Sequence, residues 1–460
     1  MPGRKRSRSN QGGVGGGGGD RPRIMPVGGG GTTGATVVRL NREARHRGLG
    51  AFEDMKLRIA STADVTAEAA LASTFDGADM IVFERFGIAI VQADPDRMAA
   101  AVSAGVAEHG VVSARPERIY RAIGAGRGPR TLAGASRDYL LGYRAGVDAL
   151  VEDLLGGEAG GAGARRAEEP QDPEEITETW GLRATGVTGS CFSGRGIKVA
   201  ILDTGIDAGH PDFEGRIVAS KSFIPDETVE DAQGHGTHCA GTACGPMQPA
   251  ENQPRYGVAY GAELYVGKVL SNQGLGSDRT VIAGLEWALN EGCQVISMSL
   301  GAAVAINQPF DENYELIGQD ALRSGSLLVA AAGNESRRPT FVAPVGSPAN
   351  CPSIFAVAAV DRFDAVAFFS CAKRTMHPGG EINIAGPGVD VLSSMPRALG
   401  GWDFLSGTSM ATPHVAGIAA LYAESDPGLR GMALWGALVK NARHIGGEVA
   451  DVGAGLVYAP

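Results

Sequence analysis

The chain has 460 residues, of which 43% are hydrophobic and 20% charged, enough for one large domain with a smaller one beside it. Its 41 basic and 51 acidic residues give a net charge of −10, which argues against nucleic acid as the main partner because phosphate binding draws on a basic field. No apolar run approaches the length of a membrane span, and no apolar h-region follows Arg4, Lys5, Arg6 and Arg8. A conventional secretory signal is therefore not visible, and a cytoplasmic location, or export by a non-standard route, is the default expectation.

In chain order, residues 1–49 open on a glycine-rich basic tract and are expected to form a disordered tail. Residues 50–123 read as a small α+β domain. Within it, "MIVFERFGIAIV" from Met80 to Val91 is two short strands joined by a tight turn. Asp94 then caps a helix with Pro95 at its first position and Met98, Val102 and Val106 along one face. "VVSARPERIYRAI" returns as an extended segment, and an earlier helical stretch is expected near Ala67 to Ala72. Residues 124–179 hold an amphipathic helix, Ser136 to Gly157, and a charged, Pro-containing linker.

From 180 to 460, short apolar runs alternate with helical stretches. "IKVAILD", "CQVISMSLG", "SLLVAAAGN" and "SIFAVAAVD" are buried-strand signals, and their alternation with helices points to an α/β fold on a mostly parallel sheet. The six cysteines show no CxxC spacing; buried free thiols are expected, with a Cys351–Cys371 bridge left open.

In parallel α/β sheets, reactive groups gather at the carboxyl ends of the strands. Asp203 closes the run "VAILDTGID", where a turn or cap role competes with a catalytic one. His235 opens a small-residue helix in "GHGTHCAGT"; a metal site with His238 is the rival reading, but no HExxH or carboxylate spacing supports zinc. Ser409 in "GTSMATPHVAG" lies at a helix start, with Pro413 placed in the first turn, and is read either as a cap or as a nucleophile. Asn334, just past a strand in "VAAAGNE", offers a neutral donor. An orienting acid, an imidazole, a hydroxyl and a carboxamide make a complete acyl-transfer set.

The four motifs, in the order Asp, His, Ser, resemble those of the subtilisin-like serine peptidases over about 180–460, and "GHGTHCAGT" most resembles the proteinase K branch. The resemblance implies a subtilisin-like three-layer α/β fold and a serine endopeptidase. Asp203 would orient His235, His235 would act as general base and then acid, Ser409 would form the acyl-enzyme, and Asn334 with the Ser409 N–H would hold the oxyanion. Ser299, Leu300 and Gly301 would bind substrate backbone as an added strand. Ala331, Gly333 and Gly346 would form the walls and floor of the first specificity pocket, giving a broad apolar or aromatic preference. No cofactor is implied for the chemistry. A structural calcium is an open expectation at Asp212 and around Glu381 and Asn383, where Asn383 replaces a carboxylate.

The 50–123 domain resembles the family's inhibitory propeptide, so the chain is expected to be a self-processed zymogen, cut near Ile123 or within Gly156 to Glu175. A permanent accessory domain is the alternative for that region. A peptidase-fold protein limited to self-processing or partner binding is the alternative for the whole. The partners implied are protein or peptide substrates and the chain's own N-terminal domain.

Overall fold

The computed structural model describes residues 31–64, 77–123 and 177–460. Among the described residues, five strands build the N-terminal unit: β1 (Thr32–Leu40), β2 (Ile59–Ser61), β3 (Met80–Phe83), β4 (Ile88–Val91) and β5 (Val111–Ala122). The expected hairpin is present as the antiparallel pair β3–β4, and Asp94 caps the Pro95–Ala107 helix by accepting from the N–H groups of Asp96 and Arg97. The buried face of that helix is Met98, Ala101 and Gly105; Val106, expected on it, is 46% exposed. The reason is close packing: a Cβ on Gly105 would meet the Val111 side chain at 2.4 Å, so the helix turns its smallest residue inward.

The tail boundary at 49 is corrected. β1 lies in the middle of the sheet, hydrogen-bonded to β4 on one side and β5 on the other, so the folded unit begins by Thr32. A glycine tract flowing into "TTGATVVRL" hides the strand, because only Ala35, Val37, Val38 and Leu40 carry its burial. The stretches expected to be helical near 67–72 and at 136–157, and the 158–175 linker, lie outside the described residues.

The larger unit is built on seven strands: β6 (Lys198–Asp203), β7 (Ile217–Ser222), β8 (Glu263–Lys268), β10 (Val295–Met298), β12 (Leu327–Ala331), β13 (Phe355–Val360) and β14 (Ile384–Pro387). All are parallel, in the order β14-β13-β12-β10-β6-β8-β7. Strands covered on both faces need apolar residues at every position, and β13 is buried throughout. Side chains alternate between two layers. Val199 and Ile201 face the His235–Cys244 and Thr408–Ser425 helices, whereas Ala200 and Leu202 face the Asp278–Asn290 and Glu312–Arg323 helices. This is the three-layer α/β arrangement.

The two units share one core. Phe83, Phe86, Ile88 and Tyr120 of the N-terminal sheet pack with Leu285, Tyr314 and Ile317 of the larger unit. The other face of that sheet, including Val38, Met80 and Val82, packs on Met98 and Ala101. Two short strands of the larger unit, β9 (Leu275–Ser277) and β11 (Leu300–Gly301), pair antiparallel with β5 and carry the sheet across the junction.

Candidate active site

Three loops and two helix starts converge where β5 ends. Asp203 closes β6 with its side chain fully buried, and its Oδ1 lies 2.7 Å from His235 Nδ1. The Thr204 N–H also donates to Asp203 Oδ1, at 2.7 Å. His235 is the first residue of a ten-residue buried helix, as the sequence implies. Its small residues matter: a Cβ on Gly236 would come within 2.3 Å of the Gly205 carbonyl, so glycine lets the helix approach the loop that carries Asp203. Asp231 ties both sides of this pair. Its Oδ1 accepts from Thr204 Oγ1 and the Gly234 N–H, and its Oδ2 from the Thr237 N–H.

Burial disfavours the His235 imidazolium, but the Asp203 charge, the adjacent Cys239 sulfur and the hydrogen bond to Asp203 outweigh it and hold the pKa well above 6.5. Burial pushes the Cys239 thiol up, so Asp203 supplies the charge. Among the described residues, the ligand atoms of Asp203, His235 and Cys239 lie within 4.8 Å of one another. Nδ1 of His235 is committed to Asp203, however, and His238 points elsewhere. His238 Nε2 meets the Val391 carbonyl at 3.0 Å, and burial lowers its pKa to about 3.

Ser409 is the second residue of the Thr408–Ser425 helix, whose N-cap is Gly407. Pro413 is therefore the sixth helical residue, in the second turn and not in the first as expected. Its missing N–H leaves the Ser409 carbonyl without its helical partner. Ser299 Oγ donates to that carbonyl at 2.8 Å and the Cys239 thiol at 3.6 Å, so the Ser409 helix is tied to the β10–β11 junction.

The end of β5 fills the cleft. Leu300 pairs with Ala122 and Gly301 with Arg121, and the Ile123 N–H donates to the Ser299 carbonyl at 3.1 Å. A Cβ on Gly301 would fall 2.5 Å from Ile123 Cδ1, so glycine there makes room for the Ile123 side chain. The Ile123 carbonyl accepts from Asn334 Nδ2 at 3.0 Å and from the Ser409 hydroxyl. The same hydroxyl lies 3.1 Å from the Ser299 carbonyl, and His235 Nε2 is buried without a hydrogen bond. A cleft of about 560 Å³ continues from Ile123, bordered by Gly301, Ala302, Asn334, Glu335 and Phe368. Ala331, Gly333 and Gly346, expected as pocket walls and floor, are not among the residues that border it: Ala331 ends β12, the Gly333 N–H donates to Thr408 Oγ1, and the Gly346 N–H donates to the Ala332 carbonyl.

Thr408, given no role by the motifs alone, orients Asn334. Its N–H and hydroxyl both donate to Asn334 Oδ1, each at 3.0 Å, which aims the amide N–H groups at Ile123. Its place between Gly407 and Ser409 in "GTS" was the available signal.

The residues considered for structural calcium hold protein donors. Asp212 Oδ1 accepts the Ala250 N–H at 2.7 Å, and its Oδ2 accepts Trp402 Nε1–H at 3.0 Å and the Tyr256 hydroxyl. Lys373 sits on Glu381, and Asn383 Oδ1 accepts the Ala356 N–H at 2.6 Å. These oxygens accept hydrogen bonds or an ion pair from protein groups in the structure. The Cys351–Cys371 bridge is also corrected: both thiols are free, one facing the Asp311 carbonyl and the other Glu335.

Residues 194–455 match the subtilase family, peptidase S8. Subtilisin E of Bacillus subtilis is 38% identical over 249 residues, 54% of this chain and 60% of its own length. The thermostable alkaline protease of Halalkalibacterium halodurans is 41% identical over 268 residues, 58% of this chain and 67% of its own. Against some of these relatives the chain thus spans less than two thirds of their length. The structure of a cold-adapted subtilisin-like serine proteinase superposes with a TM-score of 0.51 at 31% identity, covering 62% of this chain and 99% of that one.

Proposed function

Because the chain belongs to the subtilase family, we propose that it is a serine endopeptidase acting on protein or peptide substrates, and that its N-terminal unit is an intramolecular inhibitor which the enzyme cuts after Ile123. One observation carries the proposal: the Ile123 carbonyl lies between Asn334 Nδ2 and the Ser409 hydroxyl, at the end of a strand held by β9 and β11.

On this reading, Ser409 Oγ attacks the Ile123 carbonyl carbon while His235 Nε2 takes the hydroxyl proton. Asp203 keeps the Nδ1 tautomer and supports the imidazolium that forms. The oxyanion receives Asn334 Nδ2, which already sits on the Ile123 carbonyl before charge develops, and the Ser409 N–H, as the family resemblance implies. His235 then gives its proton to the departing amine of Gly124, leaving an ester between Ile123 and Ser409. Water, deprotonated by the same imidazole, hydrolyses the ester and regenerates the serine.

Ile123 in the cleft supports an apolar preference before the cut. Tyr120, the fourth residue back, is fully buried and packs edge-on against Tyr314 at 5.5 Å, which supports an aromatic preference there.

A serine-directed fluorophosphonate probe tests the activity. The self-processed protein is expected to label and Ser409→Ala to stay unlabelled; Ser409-independent labelling, or none, contradicts the endopeptidase reading.

A further inference from the structure

Upstream of the cleft, the strand that fills it continues into an acidic seat that the catalytic chemistry does not use. Asp278 opens one surface helix, and Asp311 caps the next by accepting the Asn313 N–H at 2.9 Å. Their side chains are 0% and 2% exposed. Both face β5. Asp278 Oδ2 accepts the backbone N–H of Arg118 at 2.7 Å, and Asp311 Oδ2 pairs with the Arg118 guanidinium at 3.2 Å. Arg115 forks onto Asp278 at 2.6 and 3.1 Å and reaches Asp311 at 2.5 Å. Arg39 pairs with Glu312 beside them at 2.9 Å, so three arginines of the N-terminal unit meet three carboxylates of the larger one.

The position of Arg118 gives this seat a meaning beyond domain docking. Counting back from Ile123 as the first residue before the cut, Arg118 is the sixth. It lies on the same extended path that pairs Ile119 with Ser277 and Tyr120 with Gly276. Its contacts to the larger unit use a backbone N–H, which any substrate residue presents, and a side chain, which only a basic residue can match. Arg118 also borders an open cleft of about 430 Å³ shared with Val304 and Gln308, which gives a side chain at this position room to enter. Once the N-terminal unit leaves, Asp278 and Asp311 lose their arginine partners and face the path of an incoming peptide. Two partly desolvated carboxylates without a cation are costly, so a substrate cation restores what release removes.

We propose that Asp311, beside Asp278 which holds the backbone N–H of the same residue, forms a specificity subsite of the free enzyme that selects a lysine or arginine at the sixth position before the cut. The proposal rests on the reading of β5 as the substrate path. It predicts that the enzyme favours basic, extended segments over neutral ones of equal apolar content. The preference weakens with salt, because the pair becomes accessible to ions after release.

The test uses protein produced from the full chain and allowed to process itself. Peptides share Ile-Tyr-Arg-Ala-Ile before the cut and differ only at the sixth position, which is Arg, Gln or Glu. The expected kcat/KM is roughly five- to tenfold higher for Arg than for Gln at low salt, with Glu below both. In Asp311→Asn, which keeps a capping side chain at the helix start, the Arg-to-Gln ratio should fall to near one while fluorophosphonate labelling confirms a folded site. Equal hydrolysis of the Arg and Gln peptides by wild type overturns the subsite and leaves the endopeptidase reading standing. Failure to cleave any peptide, with no labelling, overturns that reading and the subsite with it.

Discussion

Asn334 holds the Ile123 carbonyl through Nδ2 at 3.0 Å while its own Oδ1 is gripped twice by Thr408 at 3.0 Å. The amide can therefore point only one way, with its donors aimed at the Ile123 carbonyl, where the proposed reaction would form an oxyanion. An oriented dipole in a water-poor site stabilises developing charge more than a mobile one, because it does not reorganise during the reaction.

Replacing Asn334 by Ala is expected to lower kcat roughly 10²- to 10³-fold with KM nearly unchanged, the loss known for a single oxyanion donor in subtilisin and not a value derived from these distances. Thr408→Val keeps the shape and removes one grip on the amide. It should lower kcat by about tenfold. Steady-state kinetics on a peptide substrate checks both, and a rise in KM with unchanged kcat would assign Asn334 to ground-state binding.

The pH dependence follows from His235. Its pKa is raised above 6.5, so protonation favours the folded state below 6.5, and that contribution is lost as pH rises through the raised value. Catalysis needs the neutral base, so the acidic limb of kcat/KM should have its midpoint above 6.5. Asp203→Asn removes the charge that raises the pKa. The variant should lose about 10⁴-fold in kcat and move the limb downward. A wild-type midpoint below 6.5 would contradict the account of the Asp203–His235 pair.

Arg85, on the turn between β3 and β4, should govern release of the N-terminal unit. Its Nε lies 2.6 Å from Asp320, its terminal nitrogens reach Asn290 and Ser324, and its N–H meets Glu286. Truncating a half-buried, charge-paired arginine weakens an interface by more than its area suggests. In Arg85→Ala, inhibition by the cleaved unit should weaken by at least about tenfold. Progress curves after processing would read this as a shorter lag; an unchanged lag would place the inhibitory contacts at β5 alone.

Calcium removal should leave stability unchanged. The Asp212 oxygens accept from Ala250, Trp402 and Tyr256, so that seat is expected to hold together without a cation. Tyr256→Phe, in contrast, should cost about 1–3 kcal/mol by removing one of the two hydrogen bonds that Asp212 Oδ2 accepts. Thermal melts with and without chelator check both. A chelator-induced drop in wild-type Tm would show that a cation binds elsewhere in the fold.

Much of the candidate site was legible because the proposed chemistry demands rare residues at fixed places. The motifs around Asp203, His235, Asn334 and Ser409 each end a buried strand or open a helix, and the fold brings them to one cleft. The hairpin from Met80 to Val91 was equally clear, since eight buried residues flank one tight turn. β1 was not, because its glycine-rich approach imitates a tail. The place of Pro413 was misjudged because the compensation is nonlocal: Ser299, over a hundred positions earlier, satisfies the carbonyl that proline leaves bare. Asp212 shows the same limit, since its partners Tyr256 and Trp402 meet it only in the fold.

The most direct test is the mass of the N-terminal fragment released when the purified full chain is incubated. Wild type is expected to yield a fragment ending at Ile123 and a partner beginning at Gly124, while Ser409→Ala stays intact. A fragment ending elsewhere, or the same cut in Ser409→Ala, would contradict the claim that the Ile123 carbonyl rests where this enzyme acts.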